Sequence, residues 1–193
     1  MVARTLWGLA LVLLGWPLLL AAKDLPINTR LGGDFTLQST VVDKDQLSDF
    51  KGKLVLLNFG YTSCPDVCPM VLSRMTQVMN TLEEDSKETR AQVQPLFITF
   101  DPERDTLEKL GAYLKHFGPD FIGMTGTPEQ IAAVAKQFGV IYLPQKSDSA
   151  AGTLFAHSDY IYLLDDQGRV RALFSTKEPI DDMVDAVESL LDK

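Results

Sequence analysis

Leu54-Val55-Leu56-Leu57-Asn58-Phe59-Gly60-Tyr61-Thr62-Ser63-Cys64-Pro65-Asp66-Val67-Cys68-Pro69 is the stretch that decides the fold. Leu54 to Phe59 form a short apolar run, the pattern of a parallel strand buried on both faces. The two cysteines follow it directly. Pro69 lacks an N–H, and its ring clashes with a helical carbonyl four residues back, so it must lie within the first turn of a helix. Cys68 therefore stands at the helix start and Cys64 in the loop just before it. Met70, Leu72, Met75, Val78, Met79 and Leu82 recur at helical spacing and carry the helix to about Leu82. A methionine-rich copper site would also use such spacing, but core packing accounts for it.

Downstream, Val93 to Phe100 reads as a second buried strand. Asp105-Thr106-Leu107-Glu108 reads as a capping box that opens a helix to about Phe117. Thr127-Pro128-Glu129-Gln130 opens another, with Pro128 at the first helical position and Gly139 as its stop. Val140 to Leu143 forms a short strand, and Pro144 to Ala156 a polar loop. His157 to Leu164 and Arg169 to Phe174 are strands joined by Asp165-Asp166-Gln167-Gly168, a hairpin signal. Pro179 to Leu191 makes a last helix. The order β-α-β-α-(α)-β-β-α gives an α/β fold of thioredoxin-like order, with a mixed central sheet, a C-terminal β-hairpin and a closing helix.

Upstream, Lys23 to about Gly33 reads as a linker, which leaves residues 34–193 as one domain. Residues 1–22 form a targeting segment. Arg4 and the α-amine supply a positive start, and Thr5 to Ala22 carry no charge. Leu20-Ala21-Ala22 is a poor cleavage site, so the segment is either a membrane anchor or a cleaved signal. In both cases Arg4 stays on the cytoplasmic side and the rest is exported. The expected location is the bacterial periplasm, tethered to the inner membrane through residues 5–22 if these are uncleaved. A formal charge of −8 argues against a nucleic-acid partner, because phosphate binding needs clustered Lys and Arg.

Cys64 and Cys68 are the only cysteines. A bridge over so short a loop would stabilise the fold by roughly 2 kcal/mol in the chain-entropy model. A chain of this size buries an ample core without one, so the pair is read as chemical rather than structural. Both sulfurs lie near the positive end of a helix dipole, which favours the thiolate. The third intervening residue, compared with a C-x-x-C pair, widens the sulfur separation and suits two ligands on one soft metal. A third ligand is then expected, and the chain has only His116 and His157. His116 reads as a surface histidine late in a helix. His157 ends the polar loop and opens a strand. Two thiolates and an imidazole suit Cu(I) and also hold Cu(II). Structural zinc would want a fourth ligand, for which Asp66 is available, although Asp66 also suits the helix N-terminus.

With these residues placed, the chain resembles the Sco/SenC family of copper chaperones for cytochrome c oxidase assembly. The matching stretches are Phe59 to Pro69, then Asp101-Pro102-Glu103-Arg104-Asp105-Thr106, and the strand-opening His157. The resemblance implies a thioredoxin-like fold with added elements and copper ligands at Cys64, Cys68 and His157. It implies as partner a copper-site subunit of the oxidase or another copper chaperone. The family often carries Asp just before this histidine; here Ala156 stands there, with Asp159 nearby. Asp101 and Asp105 read as an electrostatic patch near the site, or as a turn residue and a helix cap.

The leading reading from the resemblance is a metallochaperone with no turnover of its own; the alternative, which the resemblance also permits, is a thiol–disulfide oxidoreductase that keeps the oxidase's copper-site cysteines reduced, with Cys64 and Cys68 as the redox pair. Against redox function alone, no proline directly precedes the strand that His157 opens. A peroxidase is disfavoured, since Leu57 and Tyr61 replace the Pro and Thr of a Pro-x-x-x-Thr-x-x-Cys motif.

Overall fold

The computed structural model describes residues 25–42, 45–145 and 153–191. The targeting segment expected over residues 1–22 lies outside them. Among the described residues no helix is long and apolar enough to cross a membrane.

The apolar run becomes β2 (Leu54–Gly60), every residue of which is buried. It pairs in parallel with β3 (Val93–Thr99) and antiparallel with β7 (Ile161–Leu164). β3 pairs in parallel with β4 (Ile122–Thr125), whose other edge takes β1 (Gln38–Ser39) antiparallel. β7 and β8 (Val170–Phe174) form the expected hairpin. The six-stranded order is β1-β4-β3-β2-β7-β8, a mixed sheet as the sequence suggested.

Side chains alternate across it with the period of two that a strand imposes. Leu54, Leu56, Phe97, Ile161 and Leu163 face one layer, with α1 (Val67–Asp85), α3 (Leu107–Leu114) and α5 (Ile180–Leu191). Val55, Leu57, Phe59, Leu96, Ile98, Tyr162 and Leu164 face the other, with α4 (Pro128–Gln137) and the two cysteines.

Several expectations change. β4 was not foreseen, nor was the short α2 (Lys87–Ala91). Two glycines bracket β4's middle and end, which is loop composition, yet Gly123 has a packing reason. A Cβ there would lie 2.5 Å from Leu110 Cγ and 2.7 Å from Leu114 Cδ1, so only glycine lets α3 lie on the strand. The helix α3 opens at Thr106, not Asp105: the Thr106 hydroxyl accepts the Lys109 N–H. Met70, counted among the packing positions of α1, is 45% exposed. The expected start of α4, by contrast, is present as read, with Pro128 at the first position, and Thr127 and Gln130 cap each other there.

The largest departure concerns residues 142–157. β5 (Tyr142–Gln145) and β6 (Leu154–His157) pair antiparallel as a separate two-stranded sheet, with Tyr142 opposite His157. His157 therefore closes a strand rather than opening one, and both ends of the expected loop lie in strands, Pro144 in β5 and Leu154 to Ala156 in β6; residues 146–152 of it lie outside the described residues. Residues 25–33, read as a linker, make contacts with the sheet edge. The Asn28 N–H donates to the Val170 carbonyl at 2.8 Å, and Arg171 Nε donates to the Leu25 carbonyl at 2.8 Å.

Candidate metal centre

Parallel strands place their C-terminal ends at one pole, and ligand sites of α/β sheets form there, where strand order switches. β2 is such a point, with β3 on one side and β7 on the other. The chain leaves β2 at Gly60 and enters α1 at Val67, with Pro69 in its first turn. Cys68 is thereby fixed on the first turn of α1 and Cys64 in the preceding turn, as the sequence required. Gly60 makes this possible. A Cβ there would lie 2.9 Å from Cys68 Sγ and 2.8 Å from the Phe97 ring, so the helix start sits directly on bare backbone.

His157 arrives from the separate hairpin. Its Nε2 lies 3.5 Å from Cys68 Sγ, and the Cys68 N–H donates to Cys64 Sγ at 3.4 Å. One ligand atom from each of Cys64, Cys68 and His157 lies within 4.8 Å of the others. The His157 Nδ1 is 2.8 Å from the Ser158 carbonyl, which holds the proton on Nδ1 and leaves Nε2 as the donor facing the sulfurs. That orienting role falls to backbone, so the side chain missing at Ala156 is not needed for it. Asp159 is engaged elsewhere, accepting from the Thr176 hydroxyl at 3.2 Å.

The two thiols are unequal. Cys68 is 1% exposed and Cys64 8%. The Cys64 thiol is held far below the usual thiol range, to about 3. Its largest cause is the hydrogen bond from the Cys68 thiol; burial opposes it, and His157 and the backbone N–H groups of Asp66 and Cys68 add to it. Cys68 is pushed up by the same hydrogen bond, by burial and by the Cys64 charge. The shared hydrogen bond thus favours the thiolate on Cys64, the more accessible of the two sulfurs. Burial pulls the His157 pKa down, but its hydrogen bond to Cys64 and the Ser158 carbonyl outweigh this and raise it.

Aromatic rings wall the histidine. Phe100 packs 4.9 Å from the imidazole centroid and Tyr61 6.2 Å, while Tyr142 stacks on Phe100 at 5.0 Å. The imidazole is nevertheless half-buried, whereas Cys64 and Cys68 are both buried.

Of the two roles read for Asp105, the structure supports the charge near the site and not the helix cap. Asp105 is fully buried, and its carboxylate accepts from Thr62 N–H at 2.8 Å, Thr62 Oγ1 at 2.5 Å and Thr99 Oγ1 at 2.7 Å, with Lys109 Nζ at 3.2 Å. It does not cap a helix; it fastens the cysteine loop to the end of β3. Asp101, buried beside it, pairs with Arg104 at 2.5 Å. Asp66 is exposed at the N-cap of α1, makes no capping bond and is not in the cluster; His116 is exposed past the end of α3 and is not in it either.

The donor set is two sulfurs and one imidazole nitrogen, with the imidazole the most exposed of the three groups. It matches a soft, low-coordinate ion of the Cu(I) type. It is one ligand short of a closed structural zinc site.

Comparison with known proteins agrees with this geometry. A family model described as SCO1/SenC matches residues 23–192. A SCO2-like protein of Rickettsia felis is 40% identical over 146 residues, covering 74% of this chain and 68% of that protein. The crystal structure of Arabidopsis thaliana ScoI with copper bound superposes with a TM-score of 0.76 at 31% identity, covering 84% of this chain and 99% of that one. Yeast Sco1 with copper bound gives 0.70 at 33% identity, covering 82% and 89%.

Proposed function

The chain belongs to the SCO1/SenC family, and from that premise we propose that it is a metallochaperone that carries copper on Cys64, Cys68 and His157 and hands it to a copper-site subunit of cytochrome c oxidase during assembly. The observation that carries this reading is the convergence of the chain's only two thiols with an oriented imidazole nitrogen, all within 4.8 Å. Copper is here the cargo. Bound between the two sulfurs and Nε2, it would displace the proton the thiols share. Each residue has a separate task. Cys64, the more accessible of the two thiols and the one whose thiolate is favoured, supplies the first sulfur. Cys68, seated on the helix start, supplies the second thiolate. His157 completes the set from a hairpin that does not belong to the main sheet. Losing one ligand weakens the site, which gives a physical route to release. Residues 5–22 would tether the domain to the periplasmic face of the inner membrane.

A second reading is a thiol–disulfide oxidoreductase acting on the oxidase's copper-site cysteines. It is favoured by the split between an ionised outer thiol and a protonated inner one, the arrangement of an attacking and a resolving cysteine. Oxidase assembly in a strain carrying His157→Ala separates the two. That change removes a copper ligand and keeps the dithiol. Failed assembly that added copper restores supports copper delivery; normal assembly supports the redox role.

A further inference from the structure

Two adjacent residues between β3 and α3 reach opposite halves of the thiol–imidazole cluster. Asp105 holds the cysteine loop through Thr62, as described. Arg104 reaches the histidine side. Its Nε binds Asp101 at 2.5 Å, and its Nη2 donates to the Thr153 carbonyl at 2.6 Å. Thr153 immediately precedes β6, the strand that ends in His157. The guanidinium also lies 5.9 Å from the Tyr61 ring centroid. The Tyr61 hydroxyl in turn accepts the Phe155 N–H at 3.2 Å.

This grip matters because of how the hairpin is attached. Among the described residues, β5 and β6 pair only with each other and share no ladder with the six-stranded sheet. What seats them near the cysteines is the aromatic packing of Tyr142, Phe155 and His157 on Phe100 and Tyr61, the Tyr61 hydroxyl, and Arg104. Aromatic contacts tolerate sliding. A charge-assisted bond to a carbonyl, from an arginine itself fixed by a buried aspartate, does not.

We propose that Arg104 is a positioning residue for the metal centre: with Asp101 as its brace, it holds the start of β6 so that His157 Nε2 stays within reach of both sulfurs. Releasing the Arg104–Thr153 bond lets the hairpin carry His157 outward, converting a three-ligand site into a two-thiolate site from which copper leaves more readily. The turn over residues 101–105 thus ties both halves of the site together, Asp105 for the thiols and Arg104 for the imidazole. This rests on the copper-binding reading given above, and deepens it.

The test uses the full 193-residue chain as wild type, Arg104→Met, His157→Ala and the double variant, with Arg104→Lys in place of Arg104→Met should the latter fail to fold. Lysine keeps the charge but has no fork to span Asp101 and Thr153 together. In the metal-free protein, hydrogen exchange at the Phe155 amide should quicken several-fold in Arg104→Met while amides of β2 and β3 stay unchanged. In competitive Cu(I) titrations, Arg104→Met should weaken binding by about tenfold, the scale of losing a residue that orients a ligand. In the His157→Ala background the same change should have no effect, because the residue acts through the histidine. Equal losses in both backgrounds, or an unchanged Phe155 amide, would overturn the proposal. Failure of the wild-type chain to take up Cu(I) would instead remove the copper reading, and the exchange comparison would still decide whether Arg104 holds the hairpin.

Discussion

Gly60→Ala should damage the metal centre without touching a ligand. The added Cβ would stand 2.9 Å from Cys68 Sγ and 2.8 and 2.9 Å from Phe97 Cε2 and Cζ. Comfortable contact between such atoms is about 3.5–4.0 Å, so each neighbour must yield by about 0.7 Å. Neither is free to do so: Phe97 is fully buried on β3, and Cys68 is 1% exposed on the first turn of α1. Overpacking of this kind costs about 1–3 kcal/mol. The stiffer unfolded chain offsets about 0.4–1 kcal/mol of that. A net loss of about 1–2 kcal/mol corresponds to a Tm drop of about 2–8 °C for a chain of this size. The displacement also exceeds the ~0.5 Å tolerance of a preorganised site, and the Cys68 Sγ to His157 Nε2 spacing is only 3.5 Å to begin with. Calorimetry on the reduced, metal-free protein and a Cu(I) competition titration read the two consequences separately. A variant with the parent's Tm and the parent's copper affinity would refute the claim that bare backbone at Gly60 seats the helix start.

Four further outcomes follow from the same structure. Cys64→Ser and Cys68→Ser should each abolish tight one-to-one copper binding in equilibrium titrations, because no other thiol exists to replace them; full binding by either would remove that cysteine from the ligand set. Mild oxidation should join Cys64 and Cys68 in an intramolecular disulfide that holds no copper, since a bridged sulfur is no thiolate; thiol counting with copper analysis checks this, and copper retained by the fully oxidised chain is the contrary result. Asp105→Ala should cost about 2–3 kcal/mol in denaturant unfolding, because the Thr62 N–H and the Thr62 and Thr99 hydroxyls lose a charged acceptor; an unchanged midpoint would mean water replaces it. Burial raises the Asp165 pKa, but bonds from Arg169 and Arg171 outweigh this and leave it lowered. A lowered folded pKa gives stability that is present above the unfolded value near 3.9 and lost as pH falls through the folded one; the stability gap between wild type and Asp165→Asn should therefore be full at neutral pH and shrink below about pH 4, and a gap independent of pH would contradict it.

The legible parts of this protein were those whose signals are local. The run Leu54–Phe59, the spacing of Cys64 and Cys68, and the constraint that Pro69 puts on a helix start all act within a few residues, and together they fixed the strand, the turn and α1. The hairpin Asp165–Gly168 and the cap at Thr127 were local in the same way. What escaped depends on distant partners. Gly123 looks like a loop residue until Leu110 and Leu114 are seen to need its missing Cβ. Pro144 argues against a strand, yet it sits in β5 opposite Phe155 of β6, a partner that the residues around Pro144 do not reveal. His157 was singled out as the third ligand that the two cysteines call for, and by the resemblance, rather than through its sequence neighbours, so its place at the end of β6 escaped. Asp105 carries a local cap pattern, but Thr106 takes the cap and Asp105 turns inward to Thr62 and Thr99. Arg104 gave no local signal for its contact with Thr153, a carbonyl 49 residues away.

The most direct test of the central claim is a transfer experiment. The reduced full chain, loaded with one Cu(I), is mixed with the reduced, copper-free copper-site domain of the oxidase subunit, and the two are separated and analysed for copper and for thiols. Copper should appear on the oxidase domain while Cys64 and Cys68 remain as thiols on the emptied carrier. Copper that stays on the chain, together with thiols appearing on an oxidised oxidase domain as Cys64 and Cys68 become a disulfide in a parallel copper-free mixture, would contradict delivery and leave the redox role in its place.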